Sequence, residues 1–531
     1  MHFSISLGTL GCALSFALGV SSEENKRNDQ PSFNLYQGSD SQDSVYNDPA
    51  SNLQYTLSSG NPYPNPFMFD RLGTTGPVLL QGVNLIEELA HFVRERVPER
   101  TVHAKGAGAH GYFEVTTDVG AKYSRADLFS EIGKRTSVTG RFSTIAGNLG
   151  QPDSVRDLRG LGFKLRTNEG ILDWVFLNHP VFWIRDPTKF PHFIRSQKRN
   201  PQTHLTDYNN FWDFLSNNNE TIYQVMRTMS DLGTPYGFRH MNGHAGNTFR
   251  LVKDDNTWNY VKISAYTDQG IKNNTQDEAV RVAGENSDFG ISDLFEAIEA
   301  GNYPSWTIYF QVMDPKTAEK FKYNIFDLTK EWLVEDVPLQ EVGRITFNQN
   351  PTNYFAEIEQ IGFDPAQMPP GIEPTEDPML QARLFAYGDA QRYRIGINHK
   401  QLPINAPINP VANFLRDGFM SFNNQGSRPN YMSTIDPINL EQRPYNDDNH
   451  TIWTGGAVKY VSRPTELDFE LPRIFWNQLS ETDQEHLISN VVGHLGRATN
   501  ERIKRKQCEI FAHVNATLGQ RIASGVNVTL S

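Results

Sequence analysis

The sequence predicts an α+β protein, and three observations carry that prediction. Between Arg100 and Phe347 eight runs rich in β-branched and aromatic residues read as strands: "TVHAKGAGAHGYFEV", "VTGRFSTIAG", "GLGFKL", "ILDWVFL", "NTFRLVK", "NYVKISAY", "WTIYFQVM" and "GRITFNQ". From Pro351 to Arg463 the chain is rich in Pro, Asn and Gly and loses periodicity, as a long functional or wrapping segment does. After Pro464 apolar residues recur at three-to-four spacing, through Ile488, Val491, Val492 and Leu495, which is a helical pattern.

Taken in order, the chain opens with an apolar run from Phe3 to Val20, rich in Leu, Gly, Ala and Ser and followed at once by polar residues. It is short for a span, which needs roughly 18 apolar residues, and reads as a secretory signal peptide over residues 1–20. The expected location is therefore extracellular, with no membrane partner. Residues 21–60 are polar and poor in aliphatics, and are expected to form a flexible arm without a core of its own. The strand block follows over 61–350, with a helix-like insert near Asn210 to Leu232 and a tight turn at Asp254-Asp255-Asn256. The wrapping segment covers 351–463. The helical region covers 464–531, where Ser480 and Asp483 form a candidate N-terminal cap and Arg502 to Lys506 a solvated basic face.

A net charge of −12 over 531 residues repels phosphate backbones and excludes nucleic acid as a partner. Only Cys12 and Cys508 are present, so the fold depends on no internal disulfide once a signal peptide is removed. Sequons at Asn219, Asn273, Asn449, Asn515 and Asn527 permit glycosylation in a secreted chain.

Two stretches bear chemistry. In "RTVHAKGAGAHGYFEV", Arg100 to Val115, His103 lies beside a bed of Gly and Ala that lets backbone or a bulky planar ligand come close. In "MLQARLFAYGDAQRYR", Met379 to Arg394, helical spacing puts Arg383 and Tyr387 on one face. A guanidinium beside a phenol favours the phenolate, a hard ligand suited to ferric iron.

Together, "R-x-V-H-A-K-G-x-G-x-x-G-Y-F" and "R-L-F-x-Y-x-D" resemble the haem catalase family, in its monofunctional, small-subunit form. Also similar to that family are "GRFSTIAG", "QKRNPQTHL", "YTDQGIKN", "YPSWTIYFQVM" and "NPTNYFAEIEQIGFDPAQMPPGIEP", and the likeness spans residues 61 to 463. The resemblance implies that the eight strands close into an antiparallel β-barrel, and that the cofactor is haem b with its iron. It implies Tyr387 as the proximal iron ligand, positioned by Arg383, and His103 as the distal acid–base group, oriented by Ser143. Arg100, Arg141 and Arg394 match positions that pair with the haem propionates, Val102, Phe190 and Phe363 match positions packed on the ring, and Asp157 matches an acidic residue of the peroxide channel. The implied activity is decomposition of hydrogen peroxide to water and dioxygen, by a homotetramer.

The chain also departs from the family. Where members carry "V-G-N-N-x-P", it has "VFLNHPVFW", so Leu177 stands at the distal asparagine and Phe176 fills a glycine position. Asn178 is one residue away, and adjacent strand side chains point to opposite faces. Losing one preorganised donor costs other enzymes on the order of 10²–10³ in rate, so reduced turnover is expected. Of the positions that bind nicotinamide nucleotide in some members, Ser230, Asn242 and Trp332 are kept, while Tyr223, Arg227, Leu232, His244, Tyr266 and Val334 are substitutions. NADPH is therefore not expected. Gln391 stands where many members have His. Two alternatives stay open: a catalase-fold protein acting on organic hydroperoxides, against which Val102 counts because such relatives place Thr there, and a haem-binding protein that has lost turnover.

Overall fold

The computed structural model describes residues 53–440 and 458–530. The signal peptide expected over 1–20, most of the expected arm and the sequon at Asn449 lie outside the described residues.

Ten strands form one antiparallel sheet: β1 Gly106–Val115, β2 Arg135–Thr144, β3 Arg159–Thr167, β4 Gly170–Leu177, β5 Gly243–His244, β6 Phe249–Val252, β7 Trp258–Thr267, β8 Ser305–Met313, β9 Gln340–Gln349 and β10 Ile372–Glu373. The order β1-β2-β3-β4-β5-β7-β8-β9 returns to β1, because β7 pairs β8 and β9 pairs β1, so eight strands close into a barrel. β6 follows β5 along the same edge of β7, and β10 pairs β6. The run "NTFRLVK" thus shares the fifth place in the ring with the two-residue β5, which bridges β4 and β7. Gly246, at φ +70°, separates β5 from β6. The turn between β6 and β7 falls at Asp254–Asn256, with Asn256 at φ +62°.

Aromatic rings fill the barrel. Phe142 sits 5.1 Å from Trp306 and 5.5 Å from Phe347, and Phe163 sits 5.7 Å from Phe176, in stacked and edge-on arrangements that favour such pairs. Every residue of β3 is buried. Leu161, Phe163 and Leu165 belong to the barrel core, while the alternate residues Gly160, Gly162, Lys164 and Arg166 face the segments packed outside. Lys164 there donates to Asp173 at 2.8 Å with both side chains fully buried, and the Asp364 backbone N–H donates to the same carboxylate at 2.9 Å.

A second core is helical. It joins Phe190–Gln197, Tyr208–Ser216 and Ile222–Met229 to the terminal helices Leu467–Gln478, Glu481–Leu495, Glu501–Val514 and Ala516–Gly525. The Ser480 hydroxyl accepts from the Asp483 N–H, as the cap pattern requires. In Glu501–Val514, Arg502 and Arg505 are exposed while Ile503 and Cys508 are buried, an amphipathic arrangement. Among the described residues no helix is long and apolar enough to cross a membrane.

Candidate active site

His103 precedes β1 in a left-handed backbone conformation, φ +66°, that a non-glycine residue seldom adopts. Its N–H donates to the Ile145 carbonyl at 3.1 Å, and Arg141 donates to the carbonyls of His103 at 2.8 Å and Ala104 at 2.9 Å. The ring's Nδ1 lies 2.9 Å from Ser143 Oγ, which leaves Nε2 for the cavity that His103 lines. Gly160 is required beneath the ring, since a Cβ there would stand 2.5 Å from Nδ1. Gly162 is likewise required, because its Cβ would meet the Phe363 ring at 2.8 Å. Burial, then the charges of Arg141, Arg100 and Arg383, push the imidazole down to about 3, so it is a neutral base at ordinary pH.

Across the cavity runs the helix Pro378–Arg394. Asp377 caps it, accepting from the N–H groups of Met379 at 2.9 Å and Leu380 at 3.1 Å, with Pro378 in the first turn. Arg383 donates to the Tyr387 hydroxyl oxygen at 3.3 Å, to the Val175 carbonyl on β4 at 3.3 Å and to Asn247 Oδ1. Asn247 in turn donates to Asp377 at 2.7 Å. A chain Asp377–Asn247–Arg383–Tyr387, fully buried at Asp377 and Asn247, therefore fixes the phenol.

Two adjoining cavities, of about 280 and 310 Å³, are both lined by His103 and Tyr387, together with Val102, Val175, Phe190 and Ala386. Phe363 walls the larger one, which is also lined by Arg100, Arg141 and Arg394. Arg100 and Arg394 both donate to Glu359 Oε1 at 3.2 Å, and Arg141 Nε is buried without a partner among the described residues. Burial and the neighbouring Arg141 and Arg394 hold Arg100 well below the usual guanidinium range. Arg100 and Arg394 share one carboxylate and Arg141 bonds backbone carbonyls, which leaves cationic capacity for an anionic ligand. An apolar slot lined by both a phenol and an imidazole, with a cationic end, fits a haem with its two propionates.

A family model described as Catalase matches residues 56–436. The chain belongs to the catalase family. As a member it is an enzyme, a catalase, and a second model, described as Catalase-related immune-responsive, matches residues 463–526. The chain is 49% identical over 474 residues to the Catalase of Schizosaccharomyces pombe, covering 88% of this chain and 92% of that protein. It is 46% identical over 477 residues to the Peroxisomal catalase of Candida albicans, covering 89% and 98%. The solved structure of catalase A from Saccharomyces cerevisiae superposes with a TM-score of 0.87 at 45% identity, over 89% of this chain and 99% of that one. These relatives overturn the expected secreted location, since relatives similar over most of their length are named peroxisomal. A short apolar run with almost no basic residue ahead of it is a weak export signal.

Within this catalase, β4 places the departures. Val175, Phe176 and Leu177 all line the cavity, and Trp174 and Phe176 belong to the barrel core with their rings stacked at 6.1 Å. Asn178 points to the other face: its Oδ1 accepts from the Arg159 N–H at 2.7 Å, and it lines a separate cavity of about 200 Å³. Asp157 lines the distal cavity, its Oδ2 accepting from the N–H groups of Ile145 and Ala146 at 2.7 Å each. Gln391 accepts from Arg394 at 2.9 Å. The residues that sequence reasoning missed are Asn247, Asp377 and Glu359. Only Asp377, immediately before a proline and a helical run, carried a readable signal.

Proposed function

We propose that this catalase decomposes hydrogen peroxide to water and dioxygen at a haem b bound between His103 and Tyr387, with turnover reduced by the apolar side chain of Leu177. The observation that carries this reading is the pair of adjoining cavities lined by both His103 and Tyr387, with Arg100, Arg141 and Arg394 at one end. Haem, when bound, supplies the redox chemistry that reduces one peroxide and oxidises a second. His103 Nε2 removes a proton from one peroxide oxygen and returns it to the other as the O–O bond breaks, a task for which the neutral ring is suited. Ser143 holds that ring at its Nδ1, so the acid–base nitrogen is fixed in direction. Tyr387 would hold the iron, with Arg383 donating to its oxygen. The three arginines would hold the propionates, with Val102, Phe190 and Phe363 packed on the ring. Asp157 lies on the peroxide approach. Leu177 offers only a hydrocarbon wall where a donor would hold peroxide in line.

The family resemblance supports a homotetramer, and the names of the relatives support a peroxisomal location. NADPH is not part of this reading: at the corresponding positions Tyr223 and Arg227 bond each other and Glu331. The test is the absorption spectrum of the purified protein beside that of Tyr387→Phe. Stoichiometric haem in the wild type and loss of haem or of the ferric–phenolate bands in the variant are expected, whereas an unchanged spectrum in the variant would remove Tyr387 from the iron.

A further inference from the structure

We propose that His244 is a substrate-positioning residue, donating a hydrogen bond into the peroxide cavity on the ladder rung where Leu177 provides none. The inference rests on the reading of that cavity as a haem and peroxide site.

Three observations point to it. First, Leu177 on β4 and His244 on β5 are direct ladder partners. Residues directly opposite each other in an antiparallel pair project to the same face, with Cβ atoms about 4.5–5.5 Å apart. Second, both residues line the 280 Å³ cavity with His103. Third, the His244 ring is built to present one nitrogen. Its Nδ1 lies 2.9 Å from Ser264 Oγ on β7, and the Tyr266 ring packs edge-on at 5.7 Å. Nε2 has no partner among the described residues. In the tautomer proposed for His244 the Ser264 hydroxyl donates to Nδ1 and Nε2 carries the hydrogen, left to donate into the cavity that His244 lines, the reverse of His103, whose Nδ1 donates to Ser143 and whose Nε2 is the base. Burial, then the charges of Arg227 and Lys262, push this imidazole down to about 3, which keeps it neutral.

His244 also lines a second cavity, of about 200 Å³, whose lining includes Arg227, Asn242 and Glu331. A neutral, anchored imidazole serves the apolar cavity as a donor on the Leu177 rung, and His179 does not compete, because its two ring nitrogens are taken by Gln224 and the Leu232 carbonyl.

The test is a fluoride titration of the ferric holoenzyme, followed by haem absorption, since bound fluoride is stabilised by donors on the distal side. His244→Phe is expected to weaken fluoride binding about tenfold, the loss of one hydrogen bond. Leu177→Asn in that background is expected to restore it. Ser264→Ala, which frees the ring without enlarging or charging the site, is expected to weaken binding about threefold and serves if His244→Phe does not fold. Haem-replete variants with wild-type fluoride affinity would overturn the role of His244 alone. A wild type that purifies without haem would overturn the haem reading and this inference with it.

Discussion

His103 carries two costs that its neighbours sustain. A left-handed non-glycine residue costs of order 1–3 kcal/mol, and it persists here because Arg141 holds the carbonyls on either side of the next peptide and Ile145 holds the N–H. Burial among guanidiniums disfavours the charged imidazole and lowers its pKa to about 3. A base with a depressed pKa is available above that value and lost below it. Dioxygen evolution should therefore stay level from pH 7 to pH 5 and fall only as the pH approaches 3, whereas an ordinary imidazole would lose half its base near 6.5. A rate profile with an acid limb centred near 6.5 would contradict this assignment. That His103, Arg383 and Tyr387 come together could be anticipated because motif and spacing sit in short contiguous stretches. The relay through Asn247 could not, since Asn247 and Arg383 are far apart in sequence and meet only when β5 and β6 fold against the helix Pro378–Arg394.

At the scale of elements, strand β4 shows how period-two alternation sorts a segment of unfamiliar sequence. Val175 and Leu177 go to the cavity, while Trp174 and Phe176 belong to the barrel core, Phe176 at its border with the cavity. The alternation alone places Asn178 away from Leu177, and the structure has its amide engaged by Arg159. What the sequence did not reveal is which face Phe176 takes, because a glycine position in a family pattern does not say whether the missing side chain would point inward or outward. The ring is 1% exposed, and it packs 5.7 Å from Phe163. Phe176→Gly should accordingly lower stability by about 3–5 kcal/mol, as loss of a buried phenyl does. Denaturant unfolding measures this, and a variant as stable as the wild type would place the ring outside the core. The two-residue β5 was invisible for a different reason: a strand that short has no period to detect, and its place in the ring is fixed by its partners β4 and β7.

At the scale of the molecule, the barrel supplies rigid walls and the outer segments supply the groups that close the slot. β3 presents Gly160 and Gly162 so that His103 and Phe363 lie close against the sheet, and the helix Pro378–Arg394 brings Tyr387 to the opposite side. Eight strand-like runs, an aperiodic segment and terminal helices were readable in advance, since each depends on local pattern. Location was misread, because an apolar leader-like run lacks the context that separates export from other fates. Peroxide decomposition is proposed to be governed by His103 and limited by Leu177. Dioxygen evolution per haem, compared among wild type, His103→Ala and Leu177→Asn, tests it most directly. The expected result is measurable evolution by the wild type, a loss of at least about 10²-fold in His103→Ala and a gain over wild type in Leu177→Asn. A His103→Ala variant that evolves dioxygen at the wild-type rate would contradict the account.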